Sequence, residues 1–145
     1  MDINFDNYHY NNVEGVDYVI LPYNPIEDEW MTMAFKKGIP AELTVKELEE
    51  INKYLQEAVY KYNETKISWE NPIDLLKYNR QYIAIINEKG EKEIYINCFS
   101  SSGIRNGEYW KNNFVFVLDG GNHFFQVKIN ITKKLIIMFN VNGYA

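Results

Sequence analysis

The sequence predicts an α+β fold, with one long amphipathic helix packed on an antiparallel meander of about five strands, and an N-terminal strand and short helix ahead of them. Three observations predict it. Residues 44–63 repeat apolar side chains at three- and four-residue spacing behind a complete N-terminal cap. Residues 79–141 hold β-branched and aromatic runs separated by short turns rich in Gly, Asp, Asn and Lys. Aromatic residues make up 16% of the chain, with 12 Tyr, 8 Phe and 3 Trp, and aromatic side chains suit pleated surfaces.

The elements follow in order. Residues 1–15 are rich in Asn, Asp and Tyr without a sustained period, and read as a flexible arm. Val16 to Leu21 is a short β-branched run ended by Pro22, a first strand. Glu27 to Lys37 reads as a short helix with Trp30, Met33 and Ala34 on one side, closed by Gly38 and Pro40. Together, residues 16–40 are expected to cover part of the sheet.

The long helix starts at Thr44, an N-cap with Glu47 three residues on. Leu43 and Leu48 stand where a hydrophobic staple forms, and Glu57/Lys61 has the favoured order for an i,i+4 pair. Strands are then expected at 79–87, 91–99, 113–118, 123–131 and 135–141. Turns of three or four residues make most of these neighbours antiparallel, and Gly120-Gly121 supplies the positive φ of one turn.

One accounting problem stands out. His123 to Ile131 alternates cleanly, but residues 114–118 and 135–139 are apolar on both faces. A single helix covers part of one face. The second must be covered by the N-terminal 40 residues or left as an aromatic-lined groove or partner surface.

At 145 residues and 17.2 kDa, the chain reads as a single domain, 1–145. Its net charge is -5, unevenly placed: residues 1–50 carry 11 acidic and 3 basic side chains. That balance argues against nucleic acid and for a protein partner with a basic surface, met by Asp2, Asp6, Glu14, Asp17, Glu27, Asp28 and Glu29. A homodimer is a further expectation. No apolar run approaches bilayer length, so no membrane is expected. The N-terminus lacks the basic start and apolar stretch of a secretory signal, which reads as cytoplasmic residence; the other reading is export after removal of a signal absent from this chain.

Chemistry-bearing residues are sparse. The single cysteine, Cys98, shares a strand face with Ile94 and Ile96 and reads as a core residue rather than a nucleophile. His9 and His123 match no metal-ligand spacing, and neither metal nor cofactor is expected. Asp119 and His123 flank a turn, where an Asp can orient an imidazole as a base or simply accept backbone N–H bonds. Candidate binding residues are Tyr95, Asn97, Trp110, Asp119, Asn122 and His123.

The order strand, long helix, antiparallel meander is similar to cystatin-like helix-on-sheet folds, although the Gln-x-Val-x-Gly inhibitory pattern is absent. The segment from Tyr78 to Ala145 resembles small uncharacterised bacterial α+β proteins, through Arg80-Gln81-Tyr82, Tyr95-Ile96-Asn97-Cys98-Phe99, Trp110-Lys111, Asp119-Gly120-Gly121-Asn122 and Asn142-Gly143-Tyr144-Ala145. The resemblance implies a fold and no activity. The reading that results leans away from an enzyme. It is a non-catalytic binding protein of the inhibitor or immunity type, masking a protein partner. The alternative is a small-ligand-binding protein or hydrolase-like enzyme with its site at the 119–123 hairpin and the helix–sheet pocket.

Overall fold

The computed structural model describes residues 17–24, 34–35, 37–65, 72–100 and 109–143. Six strands and one long helix organise them: β1 (Tyr18–Ile20), β2 (Ile39–Pro40), α1 (Val45–Asn63), β3 (Tyr78–Ile86), β4 (Lys92–Ser100), β5 (Phe124–Asn130) and β6 (Leu135–Val141). Of the expected short helix at 27–37, residues 34 and 35 are helical and Lys37 is in a turn; residues 27–33 and 36 lie outside the described residues, as does the 1–15 arm.

The helix begins where its cap chemistry says it should. The Thr44 side chain accepts a hydrogen bond from the Glu47 N–H at 3.1 Å, and Glu47 Oε1 accepts from the Thr44 N–H at 3.0 Å. Two of the N–H groups that a helix start leaves without partners are thereby satisfied. Leu48, Ile51, Leu55, Ala58 and Val59 form the buried stripe, and Glu57 reaches Lys61 at 3.0 Å on the wet side.

Lys92 Nζ also contacts both Glu47 carboxylate oxygens, at 3.1 and 2.9 Å, tying the helix start to β4. Burial alone pushes the Glu47 carboxyl up; the bonds from Lys92 and Thr44 outweigh it and hold the group below its ordinary value of 4.5. A depressed carboxyl contributes stability above its unfolded pKa and loses it as the pH falls through the folded one. Glu47→Gln is therefore expected to cost about 0.5–1 kcal/mol at pH 7. The cost should be smaller at pH 3. Urea unfolding of both proteins at the two pH values checks this, and an equal cost at both would refute it.

β3 to β6 form an antiparallel meander in sequence order, β3-β4-β5-β6. β1 joins the outer edge of β3 in parallel, with Val19 opposite Gln81, and α1 lies in the connection between them. Parallel neighbours need a long crossover, and the helix supplies it. β2 pairs antiparallel with the end of β3, Ile39 opposite Ile86. The sheet is thus mixed, though mostly antiparallel.

Two sequence expectations need correction. Residues 113–118 are not a strand: the Phe114 to Val117 stretch has no regular structure and lies outside the sheet, held against one of its faces. β5 instead follows β4 directly as its sheet neighbour. The second correction concerns β6. A bulge lies where Lys128 opposes Met138 but Ile129 opposes Ile136, so Ile137 is an extra residue. Simple alternation through 135–139 fails there. Ile136 joins Phe139 and Val141 on the helix side, while Leu135 and Ile137 are exposed.

The main core lies between α1 and the sheet. Leu48, Ile51, Leu55 and Val59 meet Tyr82, Ala84, Ile94, Ile96, Phe125, Val127 and Ile129. Cys98 is wholly buried among them. Two smaller clusters occupy the opposite face. Leu21, Tyr23 and Phe35 pack on Ile83 and Ile85; Trp110 and Val115 pack with Phe99 and Phe124. Lys128 holds the first of these in place: its Nζ donates to the Ala34 carbonyl, sits 5.2 Å from the Phe35 ring centre and pairs with Glu93 at 3.3 Å. Trp30 and Met33, also expected on this face, lie outside the described residues.

Candidate functional site

The second face of the sheet carries an unusual row of side chains. Gln81 on β3, Asn97 on β4, Gln126 on β5 and Asn140 on β6 are direct cross-strand partners. The four amides form a line across the strands. Asn97 Nδ2 donates to Gln81 Oε1 at 3.0 Å, Gln126 Nε2 approaches Asn97 Oδ1 at 3.5 Å, and Asn140 Nδ2 donates to Gln126 Oε1 at 2.8 Å.

This row grips the 109–121 segment, which we call the strap. Gln81 Nε2 donates to the carbonyls of Trp110 and Asn113, at 2.6 and 2.7 Å, and its Oε1 accepts from the Val115 N–H at 3.0 Å. Asn97 Nδ2 donates to the Val115 carbonyl at 2.8 Å. At the far end, Asn142 Nδ2 donates to the carbonyls of Val117 and Asp119, at 2.6 and 2.9 Å, and Asn142 Oδ1 accepts from Gln126 at 3.2 Å. Amide side chains thus replace the backbone ladder that a neighbouring strand would have supplied. That satisfies the buried polar groups of a non-sheet segment.

The strap has an inner and an outer side. Trp110 and Val115 are buried, and the Trp110 ring meets Phe99 edge-on at 5.5 Å. Phe116 and Leu118 point away, 65% and 80% exposed. The strap re-enters the sheet through Gly120 and Gly121, whose φ values are +91° and +59°. A Cβ on Gly120 would stand 2.7 Å from the Phe124 ring, so both the backbone conformation and the space there suit glycine.

Between strap and sheet runs a groove of about 410 Å³, lined by Tyr95, Asn97, Phe114, Phe116, Leu118, Gln126, Asn140 and Asn142 among others. Tyr95 packs between Phe35 and Phe114, at ring-centre distances of 5.9 and 6.1 Å. Burial pushes its hydroxyl pKa up to about 12, so it stays a neutral hydroxyl at physiological pH. A second groove of about 530 Å³ lies nearer the other end of the strands, around Lys128, Glu93, Lys133 and Glu91. Its charges answer one another, Lys128 to Glu93 at 3.3 Å and Lys133 to Glu91 at 3.5 Å.

The structure separates the sequence candidates. Tyr95 and Asn97 share the strap groove, with Asn97 committed to the strap. Trp110 is a buried anchor. Asn122 is buried as well, and its carbonyl accepts from the Tyr78 hydroxyl at 2.8 Å. Asp119 is exposed, and its carbonyl is held by Asn142. His123 is exposed and contacts Ser100 rather than Asp119, with Ser100 Oγ to Nδ1 at 2.9 Å. This contact extends the cross-strand register beyond Phe99 and Phe124. It places a hydroxyl beside an imidazole, both members of a nucleophile–base pair but not the third group that orients the base in a triad.

Asp17 accepts the Tyr18 N–H through Oδ1 at 2.8 Å, and its own N–H donates to Asn79 at 2.8 Å. Asp2, Asp6, Glu14, Glu27, Asp28 and Glu29 lie outside the described residues. The Cys98 thiol is pushed up to about 12 by burial, against a smaller lowering from Arg80, and remains protonated in the core. Among the described residues, no group of three or more His, Cys, Asp or Glu could hold a metal ion. No helix among them is long and apolar enough to cross a membrane.

Sequence reasoning missed Gln81 and Asn142 as holders of the strap, Phe116 and Leu118 as its exposed side, and Ser100 as the partner of His123. A signal for the first was present: amides at equivalent positions of successive strands, on a face that otherwise calls for apolar residues. Comparison with protein-family models, with curated proteins and with solved structures finds no match to this chain.

Proposed function

We propose that the chain is a non-catalytic binding protein of the inhibitor or immunity type, which masks a protein partner through the outer side of the strap. One observation carries the reading. Phe116 and Leu118 are large, apolar and exposed, on a segment whose backbone is fixed by Gln81, Asn97 and Asn142. Exposed apolar side chains on a held backbone lose little freedom on binding, and such anchors dominate interface energies. The acidic first third of the chain adds steering toward a basic partner surface.

The test is co-expression of the tagged chain with the products of adjacent reading frames, compared with the double variant Phe116→Asp, Leu118→Asp. Because both side chains are exposed, the variant should fold with a melting temperature within a few degrees of the parent. It should retain less than about a tenth of any partner that the parent retains, since losing two anchors removes more than about 1.4 kcal/mol. Equal retention by both proteins would remove the strap from the binding surface. No retention by the parent would count against the masking role itself.

A further inference from the structure

The far end of the strap is fastened by a side chain that can be chemically lost. Asn142 is followed by Gly143, and asparagine amides are among the thermolabile groups of a protein. In an Asn-Gly pair the next backbone nitrogen can close on the amide carbon, because glycine has no side chain to crowd the five-membered ring. Gly143 is exposed, and a Cβ built there would meet nothing within 4 Å. Its N–H makes no hydrogen bond among the described residues, while its carbonyl accepts from the Gly121 N–H at 3.1 Å. Asn142 and Gly143 both line the 410 Å³ groove beside the strap, which gives water a way in. What restrains the reaction is the strap itself. Asn142 Nδ2 donates to the Val117 and Asp119 carbonyls at 2.6 and 2.9 Å, and its Oδ1 accepts from Gln126 at 3.2 Å. Ring closure moves Cγ and expels Nδ2, so it needs these three bonds broken.

We propose that Asn142 is a deamidation site gated by the strap, and that its conversion releases this end of the strap irreversibly. When the strap lifts, the Gly143 nitrogen attacks Asn142 Cγ. The N–Cγ bond forms, the Cγ–Nδ2 bond breaks, and ammonia leaves with the proton given up by the Gly143 nitrogen. Water then opens the succinimide at one of its two carbonyls, leaving aspartate or isoaspartate. An ionised carboxylate accepts hydrogen bonds and donates none. It would face the Val117 and Asp119 carbonyls oxygen to oxygen, so the two carbonyls lose their donor and the strap cannot be refastened there. The isoaspartate product also lengthens the main chain by one carbon just before the Gly143 carbonyl, which holds Gly121. Opening of the strap is thus recorded as a covalent change and one more negative charge. The site does not depend on what the outer side of the strap binds.

Ageing the full chain at mildly alkaline pH tests it, with conversion followed by peptide mass spectrometry. Mapping separates Asn142 from the other Asn-Gly pair, Asn106-Gly107, which lies outside the described residues. Asn142 should convert at least about tenfold more slowly in the folded chain than in the same chain unfolded in urea. Gln81→Leu, which frees the strap, should recover most of that difference. Gln126→Ala is the milder variant: Gln126 is half-buried, and its loss removes only the bond to Asn142 Oδ1 at this site, so conversion should rise several-fold in a protein whose folding circular dichroism confirms. Asn142→Asp stands in for the product without ageing. In it the Gly121 N–H should exchange at least about tenfold faster than in the parent, while amides in the centre of β4 stay protected. Equal conversion in the folded and unfolded parent, or none in either, would overturn the proposal. So would a rate unchanged by Gln126→Ala, or unchanged Gly121 protection in Asn142→Asp.

Discussion

Gln81→Leu should release the strap and destabilise the protein by about 3 kcal/mol, a large effect for a change that keeps side-chain size. Gln81 is wholly buried and bonds four groups: the Trp110 and Asn113 carbonyls, the Val115 N–H and the Asn97 amide. Leucine leaves all four without that partner, and each buried polar group left unmade costs on the order of 1–3 kcal/mol. Some of this is recovered when the freed strap reaches water, which is why the sum is not larger. Hydrogen exchange separates the outcomes. The Val115 N–H should be protected in the parent and exchange faster by at least about a hundredfold in the variant, while amides in the centre of β4 stay protected. Unchanged protection at Val115 would mean that packing of Trp110 and Val115, not the amide row, holds the strap.

Phe125→Ala should be the costliest core truncation on the helix side, at about 3–5 kcal/mol, with a fall in melting temperature of roughly 10 °C. Phe125 is fully buried at the junction of β4, β5 and β6. Its ring lies 5.2 Å from that of Tyr78 and 5.6 Å from that of Phe139, whose own neighbour is Tyr62 of α1 at 5.6 Å. The chain of rings joins the helix end to the last strand, so a cavity at its centre loosens β6 as well. Phe125→Leu keeps much of the volume and should cost under about 1.5 kcal/mol. Thermal unfolding of the two variants checks the ordering, and a cost below about 1 kcal/mol for the alanine change would show that the site collapses around it.

How much of this was legible in the sequence depended on how local the cause was. The 45–63 helix was, because cap, staple and apolar stripe lie within twenty residues of one another. Four of the meander strands were, because alternation and short turns are likewise local. The 113–118 stretch was misread for a physical reason. Its β-branched and aromatic residues suit a strand, but it joins no ladder, and its polar groups are met by side chains 18 to 34 residues away in sequence. Local composition reports backbone shape and is silent on who satisfies the backbone. The parallel seat of β1 depends in the same way on where α1 returns the chain. At the candidate site, Tyr95 and Asn97 were singled out for the right face, whereas the exposed pair Phe116 and Leu118 was assigned to a strand. Ser100 could be joined to His123 only once the register of β4 on β5 was known.

The amide row has a consequence for how this surface changes over generations. Gln81, Asn97 and Asn142 hold the strap by its main-chain carbonyls and N–H groups, so they are indifferent to which side chain hangs from its outer positions. Substitution at residues 116 and 118 leaves the fastening untouched, while the face offered to the outside is rewritten. Fastening and outward face are carried by different residues, so the outer side of the strap can be rewritten without renegotiating the fold.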